Sequence, residues 1–312
     1  MTSTMSKVLC IGDIALDVIV RLDGEGLSQL RYGSDTPSKV STHGGGTAAN
    51  VASWLNEIGT PTLLLARIGD DSVGEALIAE LQESAIAIHP IVVSGTATGT
   101  VVVLVDRSGE RTMLPDSGAN AGLSESDLPN LDGITAAYIS GYSLFNPLSH
   151  DGVHRIFQRL RSAGITTFLD PASVGTMLSF AERERVLRSI PESDVLLLNE
   201  SEAEFLSGEK NHLAMLDFLL RFAKVVVVKR GELGAIAKSR EFADPVSDNL
   251  PPRVAIDTTG AGDSFAAGFI SSWITNGDLK ESLRQGNLIA GRCVESIGAR
   301  PSHPKKPSNP KK

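Results

Sequence analysis

Apolar positions along this chain follow two alternating rhythms. Short β-branched runs read as strands: residues 7–12, "TLLLARI" (62–68), "TAAYIS" (135–140), "ITTFLD" (165–170), "DVLLLN" (194–199) and "KVVVVK" (224–229). Between them lie stretches with helical spacing. In residues 48–58, Ala48, Val51, Ala52, Leu55 and Ile58 share one helical face, and Gly59 follows as a stop. Similar spacing predicts helices over 72–84, 151–163, 181–189 and 211–222, and two long helices beginning at 263 and 280. Alternation of this kind predicts an α/β fold, a parallel sheet covered by helices on both faces. Ligands of such sheets bind at the carboxyl ends of the strands.

Two regions break the alternation. Residues 14–42 hold "ALDVIVRL" and then a polar, turn-rich link. Residues 91–116 hold "TGTVVVLVDRSGERTML", a hairpin with "RSGE" as its turn. Such strand pairs fit a small separate sheet covering a ligand, and they equally fit edge strands of the main sheet.

Composition narrows the function classes. The chain has 312 residues, of which 41% are hydrophobic, enough for a large core. A net charge of −8 argues against nucleic acid or an anionic membrane surface as partner. Its apolar runs are shorter than the roughly 20 residues of a membrane span. The segment "MTSTMSKVLCIGD" lacks the basic region and apolar core of a signal peptide. Cys10 and Cys293 lie in apolar segments outside any metal-type pair, so the expectation is of reduced core thiols in a cytoplasmic protein. A single domain over 1–304 is expected, followed by a disordered basic tail over 305–312, within "PSHPKKPSNPKK".

Several familiar signatures are missing: the P-loop, G-x-G-x-x-G after the first strand, H-E-x-x-H and G-x-S-x-G. What remains is glycine-rich. In "IDTTGAGDSFAAGFI" (256–270), Gly260 and Gly262 allow a tight turn that exposes the amides of Ala261, Gly262 and Asp263 at a helix start. Such amides suit a phosphate. Asp263 is either a cap, contributing about 1 kcal/mol, or a base taking a proton from a hydroxyl while the amides hold a moving phosphoryl group. Spacing alone leaves both open.

Three other segments are equally two-sided. "GGGTAANVASWLNEIG" (44–59) brings backbone amides and Asn50 toward a ligand, or is a flexible turn feeding a helix. "LLLNESEAEFLSG" (196–208) places Asn199 at a strand end and Glu202 in the next helix, to hold Mg2+ through water or to cap that helix. "VVVVKRGELGAIA" (225–237) supports nucleotide phosphates or is a plain hairpin.

Taken in order, these four segments resemble the ribokinase–PfkB family of carbohydrate and nucleoside kinases, over about residues 7 to 304. The resemblance implies a ribokinase-like, doubly wound, mostly parallel sheet with helices on both faces and a small β-sheet lid from about 14–42 and 91–116. It implies transfer of the ATP γ-phosphate to a hydroxyl, usually a primary alcohol of a sugar. Asp263 would be the general base, with Gly260, Ala261 and Gly262 forming the anion hole. Asn199 and Glu202 would organise Mg2+ and the phosphates, Glu202 through water. Lys229, Gly231, Gly234 and Asn287 would line the nucleotide pocket. A monovalent cation, K+, would sit beside the anion hole at Asp257 and Thr259, at the carbonyls of Cys293, Ser296 and Gly298, and at Ser302. Asp17, Gly45, Gly46 and Asn50 match acceptor-contacting positions, and the lid would close over the acceptor and offer a homodimer contact.

The chain departs from ribokinase in two places. Ala15 stands where ribokinase has an asparagine, and "ISGYS", with Gly141 and Tyr142, stands where it has a ribose-contacting glutamate. The lost polar contacts disfavour D-ribose. Tyr142 could stack on a base, which makes a nucleoside such as pseudouridine a second candidate, or pack under a hexose. A catalytically silent ligand-binding relative is a third reading, and intact Asp263, Gly260 and Gly262 count against it.

Overall fold

The computed structural model describes residues 6–242, 244–249 and 253–301. The expected tail at 305–312 and the expected cation ligand Ser302 lie outside the described residues. In chain order the strands are β1 Lys7–Gly12, β2 Ala15–Leu22, β3 Ser38–Gly45, β4 Thr62–Gly69, β5 Ala87–Val93, β6 Thr100–Val105, β7 Arg111–Asp116, β8 Ile134–Ser140, β9 Thr166–Asp170, β10 Ser193–Asn199, β11 Ala223–Lys229, β12 Ala235–Ser239 and β13 Val246–Asp248. The helices are α1 Thr47–Glu57, α2 Ser72–Glu83, α3 Gly141–Leu144, α4 His150–Ser162, α5 Val174–Phe180, α6 Arg183–Arg188, α7 Glu200–Ser207, α8 His212–Leu219, α9 Ala261–Asn276 and α10 Leu279–Val294.

Nine strands form the main sheet in the order β13-β12-β11-β10-β9-β8-β1-β4-β5. Pairing is parallel from β5 through β11 and antiparallel only at β11–β12–β13. Because successive side chains point to opposite faces, the apolar strands feed two cores. Val8, Cys10, Leu64, Tyr138, Phe168 and Leu197 pack on the face covered by α1, α9 and α10. Leu9, Ile11, Leu65, Ile139, Leu169 and Leu198 pack on the face covered by α4 and α7. In α4, Val153, Ile156, Phe157 and Leu160 are buried at the spacing of one helical stripe. Truncating a residue such as Leu197 to alanine would cost about 2–5 kcal/mol.

The second sheet has four strands in the order β3-β2-β6-β7. It contains the "RSGE" hairpin as an antiparallel β6–β7 pair. Its composition differs in two respects from the sequence reading. The polar link after β2 is in part a strand, β3, which runs into the glycine motif. Residues 91–93 belong to β5, at the edge of the main sheet. Pro90 sits inside β5, a position an edge strand tolerates and a central one does not. Periodicity also missed the short strand β13 and helix α5. The helix expected over 181–189 narrows to α6. Among the described residues no helix is long and apolar enough to cross a membrane. Cys10 and Cys293 are both buried free thiols.

Candidate active site

The carboxyl ends of β1, β8, β9, β10 and β11 gather Asp13, Ser140, Asp170, Asn199 and Lys229. These residues and the amino ends of α1, α7 and α9 build the site. Gly46 precedes α1 with φ +95, and a Cβ there would stand 2.6 Å from the carbonyl oxygen of Asp13. Gly260 plays the same part for α9. Its φ is +76, and a Cβ would lie 2.5 Å from the carbonyl oxygen of Ala299. Any other residue at either position would force the chain away from its neighbour.

Asp263 lies in the first turn of α9 and does not cap it, since no side chain caps this helix. Its Oδ2 instead accepts a 2.8 Å hydrogen bond from Asn50 Nδ2, in α1. Burial pushes its pKa up to about 7, against the lowering effect of the Asn50 bond, with the charge of Asp170 adding to the rise. Lys229 Nζ donates to Asp170 Oδ2 at 2.8 Å, and a Cβ on Gly262 would be 3.4 Å from that Nζ. The ammonium group therefore stands beside the glycine turn.

Asn199 and Glu202 form a reciprocal capping box at the start of α7. Asn199 Oδ1 accepts from the Glu202 amide at 2.9 Å, and Glu202 Oε2 accepts from the Asn199 amide at 2.9 Å. A cap alone does not account for the burial of Glu202, which is 2% exposed. Burial raises its pKa to about 8, the charge of Asp170 adds to the rise and Lys229 opposes it. Both Glu202 oxygens accept from Asn199, and two buried carboxylates close together, Glu202 and Asp170, suit a hard, partly hydrated cation. Among the described residues no cluster of three or more metal-ligating side chains forms a cage.

Among the residues expected to contact the acceptor, Asp17 stands on β2, and a Cβ on Gly45 would run into its carboxylate. Burial pushes the Asp17 pKa up to about 6, opposed by the charge of Arg300. Tyr142 is the second residue of α3, and burial together with the charges of Asp13 and Asp263 raises its pKa. Asp13 Oδ1, Tyr138 Oη and Ser140 Oγ are buried with no hydrogen-bond partner among the described residues. Buried polar groups are rarely left unpaired, so these three mark an unusual cluster.

Among the residues expected to line a nucleotide, Asn287 Nδ2 donates to both the carbonyl and Oδ2 of Asp248, each at 2.9 Å. Gly234 lies against that same Asp248, so the two predicted residues meet there. Gly231 begins the β11–β12 turn, with open space where a side chain would be.

The expected cation ligands are partly engaged. Asp257 Oδ1 accepts from the Thr259 amide at 2.9 Å and Thr259 Oγ1 at 2.6 Å, and Oδ2 from the Gly298 amide at 3.1 Å. Arg111 Nη2 forms an ion pair with the same Oδ1. The Cys293 carbonyl accepts from the Ser296 amide and Oγ, both at 3.2 Å.

Four residues escaped the sequence reading. Asp13 and Asp170 each follow or end a buried strand, where α/β sheets place ligand groups, and that position was an available signal. Arg300, two residues after the expected cation ligand Gly298, holds Asn50 Oδ1 at 3.2 Å, the Gly45 carbonyl at 2.7 Å and Glu80 at 2.8 Å. Arg111 carried no signal, since a charged residue after a hairpin turn is ordinary.

Comparison with known proteins shows the family to which this fold belongs. A model described as pfkB family carbohydrate kinase matches residues 5–306. An ATP-dependent ribose-1-phosphate kinase of Halopiger xanaduensis is 28% identical over 304 residues, which is 95% of this chain and 94% of that one. A nucleoside kinase of Methanothermobacter thermautotrophicus is 28% identical over 299 residues, 95% of this chain and 92% of that one. A solved E. coli structure in complex with ATP and Mg2+ has a TM-score of 0.79 at 25% identity, covering 94% of each chain. The chain belongs to the pfkB family of carbohydrate kinases.

Proposed function

We propose that this pfkB-family chain transfers the γ-phosphate of ATP to a primary hydroxyl of a sugar or sugar-like small molecule, with Asp263 as the general base. The observation that carries the reading is the placement of the Asp263 carboxylate. It is buried, bonded to Asn50, and one residue beyond the Gly262 backbone that Lys229 approaches. In the reaction the acceptor oxygen bonds to the γ-phosphorus as the bond to the β-phosphate bridging oxygen breaks. The acceptor proton passes to Asp263, and ADP leaves. The α9 amides after Gly260, with the Lys229 ammonium, hold the charge on the moving group; one such donor can be worth ~3 kcal/mol. Asn199 and Glu202 would hold Mg2+, which neutralises phosphate charge. Asn287 and Gly234 bound the nucleotide side through Asp248.

Asp13, Asp17, Asn50 and Gly45 present the acceptor hydroxyls with partners. A coupled ADP-release screen over pentoses, hexoses, sugar phosphates, 2-keto-3-deoxy acids and nucleosides tests the reading. Failure of every acceptor to stimulate ADP release, in protein that binds ATP, would overturn it. A nucleoside acceptor is the second reading, supported by Tyr142 beside Asp13 and by the nucleoside kinase relative. Tyr142→Ala separates the two, because loss of a stacking ring would raise KM for a nucleoside far more than for a sugar.

The lid is also proposed as the homodimer contact. Register places Val18, Val20, Val40, Val102, Leu104 and Leu114 on one face of the second sheet, opposite the face bearing Asp17. Val40 and Leu114 are exposed there. Sedimentation of Val40→Lys as a monomer, against a wild-type dimer, would support the contact, and an unchanged mass would sink it. Potassium is not part of this proposal, because Arg111 already stands at Asp257.

A further inference from the structure

Asp257 is an anion in need of a counter-charge. It begins the loop that leads through Thr259 to Gly260 and the first turn of α9, and its side chain is only 6% exposed. A carboxylate at that depth is tolerated when a cation and hydrogen bonds compensate it. The family resemblance assigns that compensation to a bound monovalent cation. The Asp257 carboxylate and the Cys293 carbonyl do not fit that assignment. Oδ1 of Asp257 is taken by the Thr259 amide, Thr259 Oγ1 and Arg111 Nη2, and Oδ2 by the Gly298 amide. The Cys293 carbonyl is turned to Ser296. A guanidinium stands where the positive charge would be required.

Arg111 reaches this place from the other sheet. It begins β7, and the register Arg21↔Val105↔Arg111 puts it on the same lid face as Asp17, Ile19 and Val103. Ile19, Val103 and Val105 on that face are buried, so it is the inner face of the lid. The lid strands that contribute an acceptor carboxylate at one point thus deliver a cation to the anion-hole loop at another.

We propose that Arg111 is a positioning residue that replaces the monovalent cation of this family, acting through Asp257 on the loop that shapes the α9 amino end. The enzyme carries its own cation, and the cation is in place only when the lid sheet lies against the loop. This inference rests on the kinase reading given above. It predicts that phosphoryl transfer needs no alkali cation, and that losing Arg111 creates such a need.

The test compares wild type with Arg111→Met, each in potassium and in tetramethylammonium at equal ionic strength. Two readouts are used: ADP release with the best acceptor, and the thermal midpoint with a non-hydrolysable ATP analogue. Wild type should show equal rates and midpoints in the two salts. Arg111→Met should lose about 10- to 100-fold in kcat in tetramethylammonium, with a smaller change in acceptor KM. It should recover in potassium or guanidinium, and its midpoint should rise as potassium is added. A wild-type rate or midpoint that depends on potassium overturns the proposal. So does an Arg111→Met protein that keeps full activity, or one that is impaired and answers to neither cation. Should Arg111→Met fail to fold, Arg111→Gln keeps the hydrogen bond without the charge, and the wild-type salt comparison decides by itself. Absence of kinase activity on every acceptor would sink the kinase reading, while the midpoint series would still report on the ion pair.

Discussion

Asn50 Nδ2 and Asp263 Oδ2 meet at 2.8 Å across 213 positions of sequence. The bond joins the first glycine motif to the second, helix α1 to helix α9. It also fixes the direction of the carboxylate, because Arg300 holds the other end of the Asn50 amide. Asn50 thereby does two things for Asp263: it orients the group, and it favours the charged form that a base requires.

Replacing Asp263 by asparagine keeps the size and the acceptor oxygen but removes the proposed base. Turnover should fall by about 10²–10⁴, with ATP affinity little changed. Steady-state kinetics and nucleotide titration check this, and near wild-type kcat would refute the base assignment.

The pH profile carries the same information. A base with a pKa of about 7 is mostly protonated at pH 6 and mostly ionised at pH 8. The kcat/KM for the acceptor should therefore rise with pH through an apparent pKa near that value. Asn50→Ala removes a contact that lowers the pKa, so its acid limb should move to higher pH. A limb that stays in place in Asn50→Ala would argue that another group controls it.

Stability should respond in the opposite sense to activity. The folded-state pKa of Asp263 lies above its ordinary value of 3.8, so the native state holds the proton more tightly than the unfolded state. The contribution is fully present below pH 4 and is lost as pH rises through about 7. Asp263→Asn should accordingly be more stable than wild type at pH 8, with the difference shrinking toward pH 4. Denaturant midpoints at the two pH values test it. A variant no more stable at pH 8 contradicts the burial of an ionised group.

Lys229 neutralises a buried carboxylate, Asp170, at 2.8 Å. Lys229→Met should destabilise the fold by about 3–5 kcal/mol, the usual result of stranding one partner of a buried pair. Adding Asp170→Asn should restore much of that stability but not the activity, since the charge beside Gly262 would still be missing. Full recovery of kcat in the double variant would rule out the role given to Lys229.

Gly260→Ala tests the turn itself. At φ +76 the new methyl would be strained and would press on Ala299. A loss of about 1–3 kcal/mol and a marked fall in kcat are expected. Unchanged kinetics would mean that the amide geometry after Gly260 is unimportant.

Much of the fold could be read from the chain because its strands are buried on both faces and its helices on one, giving two clean periods. The motifs around Gly44–Asn50 and Gly260–Asp263 could be read because each needs glycine for a backbone reason that no other residue meets. The strand β3 could not, since its residues are polar and mostly exposed and its partner β2 supplies the pattern. Strand β5 was obscured by Pro90, which only an edge position permits.

By itself the sequence determined the layer order, the two glycine turns and the family to which they belong, since these depend on local backbone demands and on periods a few residues long. Only the tertiary structure decided which charges meet. Asp170 finds Lys229, Arg300 finds Asn50 and Arg111 finds Asp257 over 59, 250 and 146 residues respectively. Such pairs leave no periodic trace, because a charge interacts over distance in space and is indifferent to distance along the chain. At that level Asn50 reached Asp263 from the other end of the chain, and burial raised the pKa of its carboxyl.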